Sequence, residues 1–112
     1  MYKQYCVYIM SNQHNTTLYI GVTSNLETRV SEHKSGSYDG FTQKYNCNKL
    51  VYYEVFSDIN EAIEREKQLK KWSRRKKEWL IDTANKDRKD LFDQEISPFA
   101  IRSVEMTLKS KF

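Results

Sequence analysis

Tyr5–Met10 (YCVYIM) and Thr17–Val22 (TLYIGV) are short runs rich in β-branched and aromatic residues, and between them lies the polar segment Ser11–Thr16 (SNQHNT) with two asparagines. Two such runs joined by a polar loop form a β-hairpin. Successive strand residues point to opposite faces, so Val7, Ile9, Leu18 and Ile20 share one face while Cys6, Tyr8 and Tyr19 share the other. Downstream, Ser24 with Glu27 three residues later has the capping-box pattern and opens a helix over Leu26 to Lys34, which Ser35–Gly40 ends with two glycines. Leu50–Phe56 reads as a third strand. Ile59–Lys71 has helical periodicity, and Ser73 caps a following helix that carries Trp79, Leu80 and Ile81. The pattern weakens after Asn85. Pro98–Phe112 spaces Ile101, Val104 and Leu108 as a short amphipathic helix would.

A chain of 112 residues supports one domain with one modest core. Hydrophobic residues make up 38% and charged residues 30%, with 3 Gly and 1 Pro, a balance that excludes disordered and fibrous classes. No apolar run approaches the length of a membrane span, and Met1–Met10 lacks a secretory apolar region, so a cytoplasmic protein without a membrane partner is expected. In a reducing compartment Cys6 and Cys47 remain thiols. Cys6, His14, His33 and Cys47 show none of the paired short spacings of zinc modules. The formal charge of +4 is concentrated: Arg65–Lys77 holds eight basic residues and one acid, leaving the rest of the chain mildly acidic. A patch of that density suits a polyanion or an acidic protein surface.

Several polar residues fall on faces that packing would claim. Tyr8 and Tyr19 share one side of the hairpin, where ordinary sheet aromatics are the simpler reading. At about 100° per residue, Arg29 and His33 lie in the same arc as Leu26 and Val30 on the first helix, either as a snorkelling arginine and a surface histidine or as inward-facing groups. On the longer helix Glu66 sits in the middle of the apolar stripe with Ile59, Ala62, Ile63 and Leu69, whereas Glu61 and Glu64 face away. An unpaired carboxylate there is costly and needs a cation, a hydrogen-bond network or a wet cleft. A salt bridge to Arg29 or a nearby lysine would suffice. The functional reading gains from convergence, because Tyr8, Tyr19, Arg29, His33 and Glu66 come from three separate elements.

Cys6-Val7-Tyr8, then Tyr19-Ile20-Gly21, then Arg29 and His33 in one short helix, then Glu66, resemble in order and spacing the GIY-YIG endonuclease superfamily. Phe41–Tyr45 and Leu69–Arg74 are similar to its small stand-alone bacterial subgroup. The resemblance covers about Tyr5 to Leu91, so residues 1–91 form the nuclease-like domain and 92–112 a C-terminal extension. It implies an α+β fold, a three-stranded antiparallel sheet flanked by helices, and divalent-metal-dependent cleavage of a DNA phosphodiester in repair, recombination or mobile-element defence. In that reading Tyr19 is the general base, Tyr8 its supporting partner, Arg29 the cation at the transferring phosphate, and Glu66 the carboxylate ligand of Mg²⁺ or Mn²⁺. His33 matches a position near the reacting phosphate, and Asn85 one that lines the site in some relatives. Cys6 stands where the motif's name has glycine, and Val22 where some repair nucleases place a lysine.

Elementary chemistry is compatible with this assignment. Mg²⁺ keeps several waters and often takes one or two carboxylates plus substrate phosphate oxygens, so Glu66 alone can hold it. Tyrosine ordinarily ionises near pH 10, and service near pH 7 requires about 4 kcal/mol of stabilisation, whereas histidine ordinarily titrates near 6.5; either Tyr19 or His33 can be the base. DNA contacts are expected from Lys67, Lys70, Lys71, Arg74, Arg75, Lys76 and Lys77, with Lys44 and Tyr45 in the loop before the third strand, and with Trp72 as a packing residue. Two rival readings are a binding module with this fold and little activity alone, and an interaction protein that holds an acidic partner.

Overall fold

The computed structural model describes residues 4–37 and 40–92; the helix expected over Pro98–Phe112 lies outside them. The element order is β1 (Tyr5–Ser11), β2 (Leu18–Thr23), α1 (Leu26–Ser35), α2 (Gly40–Lys44), β3 (Lys49–Phe56), α3 (Ile59–Lys71) and α4 (Arg74–Ala84). The strands form one antiparallel sheet in the order β2-β1-β3, so the first strand is the central one. Tyr8 thus lies between Gly21 on β2 and Tyr53 on β3.

Both faces of the sheet are covered, and the alternation read from the hairpin decides what each face meets. Cys6, Tyr8 and Met10 of β1 pack with Leu50 and Tyr53 of β3 against Leu26 and Val30 of α1 and against Cys47. Val7, Ile9, Ile20, Val51 and Tyr52 pack on the other side against Ala62 and Leu69 of α3 and Leu80 and Ile81 of α4. A central strand sandwiched in this way has no wet face, which is why YCVYIM carries an apolar or aromatic residue at every position. Cys6 is one of these packed side chains, so its departure from glycine falls on the core. Both cysteines are buried and neither is in a disulfide. No helix among the described residues is long and apolar enough to cross a membrane.

The helix termini mostly follow local chemistry. Asp58 caps α3 by accepting from the Asn60 N–H at 2.9 Å, and Ser73 caps α4 by accepting from the Lys76 N–H at 3.2 Å. The start of α1 corrects the sequence reading, since the cap is Asn25, which accepts from the Thr28 N–H at 3.1 Å. The Thr23 hydroxyl accepts the Asn25 N–H at 3.0 Å and shifts the polar start one residue beyond Ser24. Gly36 closes α1 at φ 76°, a left-handed conformation that favours glycine. The second correction is α2. Lys44 lies in this short helix, with Tyr45 following it, where a loop was expected.

Beneath α3 lies a charged group the sequence reading did not single out. Glu54 on β3 is 8% exposed, and Arg65 grips its two carboxylate oxygens from Nε and Nη2 at 2.9 Å each. The Tyr52 hydroxyl donates to the same carboxylate at 2.5 Å, and the Arg65 guanidinium lies 5.1 Å from the centre of the Trp72 ring. Burial, then the bond to Glu54, pushes the Tyr52 phenol well above its ordinary range, and burial also pushes the Cys47 thiol up. Both acids stay protonated in the folded chain at a pH where the unfolded chain ionises. Their contribution is therefore complete below about pH 8.5, the ordinary thiol value, and declines as pH rises above it. Lys49, pulled down mainly by burial, contributes with the opposite sign. Thermal melts from neutral to strongly alkaline pH should show a falling midpoint, with a shallower fall in Tyr52→Phe and in Cys47→Ala.

Candidate active site

Tyr8 and His33 meet in the layer between the sheet and α1. The Tyr8 hydroxyl lies 2.9 Å from His33 Nε2, and His33 Nδ1 lies 3.1 Å from the Thr42 hydroxyl of α2. Tyr8 is 0% exposed, His33 2% and Thr42 1%, so these bonds form out of water. A neutral imidazole, with one nitrogen donating and the other accepting, satisfies both hydroxyls. Thr42 was missed from sequence because it belongs to a five-residue helix, too short to show a periodicity.

Gly21 shows why the second motif carries glycine. A Cβ built there would stand 2.5 Å from the Tyr8 hydroxyl and 2.6 Å from its Cζ, so the Tyr8 ring occupies the space a side chain would need. Gly21→Ala is expected to push Tyr8 off His33 and to cost about 1–3 kcal/mol of stability by overpacking, read as a lowered urea midpoint.

Tyr19, half-buried on β2, joins the cluster through its ring. Its centroid is 5.2 Å from His33, edge-on, and 6.3 Å from Tyr8. Beyond it stand Phe41, 6.1 Å from Tyr19, and Tyr45, 4.8 Å from Phe41. Arg29 lies one turn before His33 on the same stripe of α1, 26% exposed and bonded to Glu32 at 3.2 Å.

Glu66 approaches from the other face of the sheet. Its side chain is 16% exposed and its carboxylate lies 3.4 Å from the Lys70 ammonium, the neighbouring-lysine pairing that the sequence allowed. Arg65 reaches Glu54 on β3. Glu66 lies about 100° further round the same helix. Among the described residues no three His, Cys, Asp or Glu side chains gather to cage a metal ion. One partly exposed carboxylate fits a hard cation that keeps its waters and takes the remaining oxygens from a substrate phosphate.

The basic run divides once its contacts are assigned. Arg65 is held by Glu54, and Arg74 donates to the Asn15 and Thr16 carbonyls at 2.7 and 2.9 Å and to Glu78 at 2.6 Å, tying α4 to the hairpin loop. Lys67, Lys70, Lys71, Arg75 and Lys76 are exposed, and Lys77 is half-buried. Trp72 packs against the core beneath Lys76, whose ammonium is 4.1 Å from the ring centre. Asn85 is 7% exposed, and its amide donates to the Val51 and Lys89 carbonyls at 3.0 and 2.8 Å, which places it at the end of α4 in a backbone-bracing role.

The model of the GIY-YIG catalytic domain matches residues 4–78. A UPF0213 protein of Staphylococcus haemolyticus is 39% identical over 82 residues, spanning 73% of this chain and 98% of that protein. UPF0213 proteins of Syntrophus aciditrophicus and of Natronomonas pharaonis are 42% and 38% identical over 72% of this chain, covering 92% and 94% of their own lengths. The solution structure of a UPF0213 protein from Bacillus halodurans superposes with a TM-score of 0.52 at 28% identity, over 84% of this chain and 97% of that one. The chain belongs to the GIY-YIG superfamily and, within it, to the UPF0213 family, with the α+β architecture of that solved relative.

Proposed function

We propose that this protein is a divalent-metal-dependent endonuclease that hydrolyses DNA phosphodiesters. The observation that carries the proposal is the Tyr8–His33 hydrogen bond at 2.9 Å beside the half-buried ring of Tyr19. Tyr19 is the tyrosine of the cluster that solvent reaches, and it is the better candidate to take a proton from the attacking water. His33, 2% exposed with both nitrogens engaged by hydroxyls, acts through Tyr8 and fixes the Tyr8–Tyr19 geometry. Arg29 supplies positive charge from α1, where it compensates the phosphate in a partly dry cleft. Glu66 is the residue that would hold Mg²⁺ or Mn²⁺, which would supply Lewis-acid stabilisation of the phosphate and leaving oxygen. Lys67, Lys70 and Lys71 on α3, Arg75, Lys76 and Lys77 on α4, and Lys44 on α2 serve as phosphate contacts.

One observation favours the rival of a binding module with little activity alone, namely that Glu66 is paired with Lys70 across the sheet from the tyrosines. Incubation of the full chain with duplex, single-stranded, flapped and branched DNA and Mg²⁺ or Mn²⁺ separates the two. Cleavage that needs the metal and disappears in Glu66→Ala supports the enzyme. Tight binding of these DNAs with no cleavage of any of them supports the module.

A further inference from the structure

α2 turns one side inward and the other out. Thr42 is 1% exposed against His33, whereas Phe41 and Tyr45 are 43% and 42% exposed. Their rings extend the aromatic series of the site to the surface: Phe41 lies 6.1 Å from Tyr19, Tyr45 lies 4.8 Å from Phe41, and the Lys44 ammonium lies 5.4 Å from the centre of the Tyr45 ring. Two large neighbouring aromatics held this far into solvent, beside a cation and in ring contact with the candidate general base, make a surface with a ligand chemistry of its own. The ligand must offer a flat π-face to the rings and a negative charge to Lys44, and it must lie next to a phosphate presented to Tyr19. An unpaired nucleotide meets all three requirements, while a base inside a continuous duplex hides its faces in the stack. An acidic peptide meets the charge alone.

We infer that Phe41 and Tyr45 form a stacking platform for one unpaired DNA base flanking the scissile phosphate, with Lys44 on the adjoining phosphate. This surface selects single-stranded or locally unpaired DNA. The inference rests on the nuclease reading, because it takes the scissile phosphate to lie at Tyr19.

Equilibrium binding of the full chain, in the absence of divalent cation, tests it with two fluorescently labelled strands of equal phosphate number. One is an ordinary single strand and the other carries abasic sites in place of its bases. The wild-type protein is expected to prefer the strand with bases by about tenfold or more, the scale of base–aromatic stacking. The Phe41→Ala, Tyr45→Ala double variant should lose most of that preference, and Tyr45→Phe, which keeps the ring, should retain it. Both positions are surface-exposed, and a circular dichroism spectrum shows whether the double variant is folded. A folded double variant that still prefers bases as strongly as wild type overturns the platform. Wild-type protein that cleaves DNA in a Glu66-dependent way but binds both strands equally overturns the platform and leaves the nuclease standing. Wild-type protein that binds neither strand and cleaves no DNA overturns both.

Discussion

Glu66→Gln is expected to lower metal-dependent cleavage by about three orders of magnitude, some 4 kcal/mol of transition-state stabilisation, while the folded chain survives. The size follows from the composition of the site. Among the described residues no three His, Cys, Asp or Glu side chains gather to hold a metal ion, so the proposed site depends on the charge of Glu66. Glutamine keeps the shape of the side chain and an oxygen that accepts from Lys70, which restricts the change to the charge. The stability cost is small by comparison. The pair with Lys70 spans 3.4 Å and the Lys70 side chain is 54% exposed, and pairs of this kind contribute about 0–1 kcal/mol. Single-turnover rates with Mg²⁺ and with Mn²⁺, alongside a thermal melt, separate the two effects. Wild-type cleavage by Glu66→Gln would falsify the metal-ligand role, and an unfolded variant would show that the carboxylate is needed by the fold.

Arg65→Met should have the opposite signature, a large loss of stability. The substitution leaves the Glu54 carboxylate beneath α3, 8% exposed, with the Tyr52 hydroxyl as its remaining side-chain donor among the bonds described above. Breaking a buried ion pair from one side costs about 3–5 kcal/mol, a large fraction of the roughly 5–15 kcal/mol that holds a domain together. Removing both charges, Glu54→Leu with Arg65→Met, should recover much of the loss, because no uncompensated charge then remains in the core. Urea unfolding of the two single variants and the double variant yields the coupling. An Arg65→Met variant as stable as wild type would mean that Glu54 finds water.

These two neighbours on α3 show what a linear reading can and cannot reach. Glu66 was conspicuous because helical periodicity put a carboxylate inside an apolar stripe, and the structure gives it 16% exposure. Arg65 counted as one more cation in a basic run, yet its partner is a strand residue eleven positions earlier whose place beneath α3 depends on the β1–β3 register. The contacts of Arg74 were out of reach for the same reason, since two of its acceptors are backbone carbonyls of the hairpin loop. The Tyr8–Tyr19 association was legible because strand alternation is local and the hairpin brings its own partner. The contact of Thr42 with His33 was not, because it depends on how a short helix folds back over α1. The span Ile59–Lys71 and the cap at Ser73 were readable because both are set within a few residues of the chain.

The sheet order β2-β1-β3 also bears on how the protein emerges during synthesis. The central strand is made first, and β2 can pair with it at once, but its other edge stays open until β3, some forty residues later, has left the ribosome. The Tyr8–Gly21 packing can therefore form early, whereas the apolar face of Val7 and Ile9 is left uncovered until α3 and α4 arrive. A nascent chain that stops short of β3 carries an unpaired strand edge beside exposed apolar side chains, the combination that drives aggregation. Arg74, which joins α4 to the hairpin loop, makes one of the last contacts to form and one of the longest in sequence. Non-local closure of this kind makes folding slow relative to a helical protein of the same size.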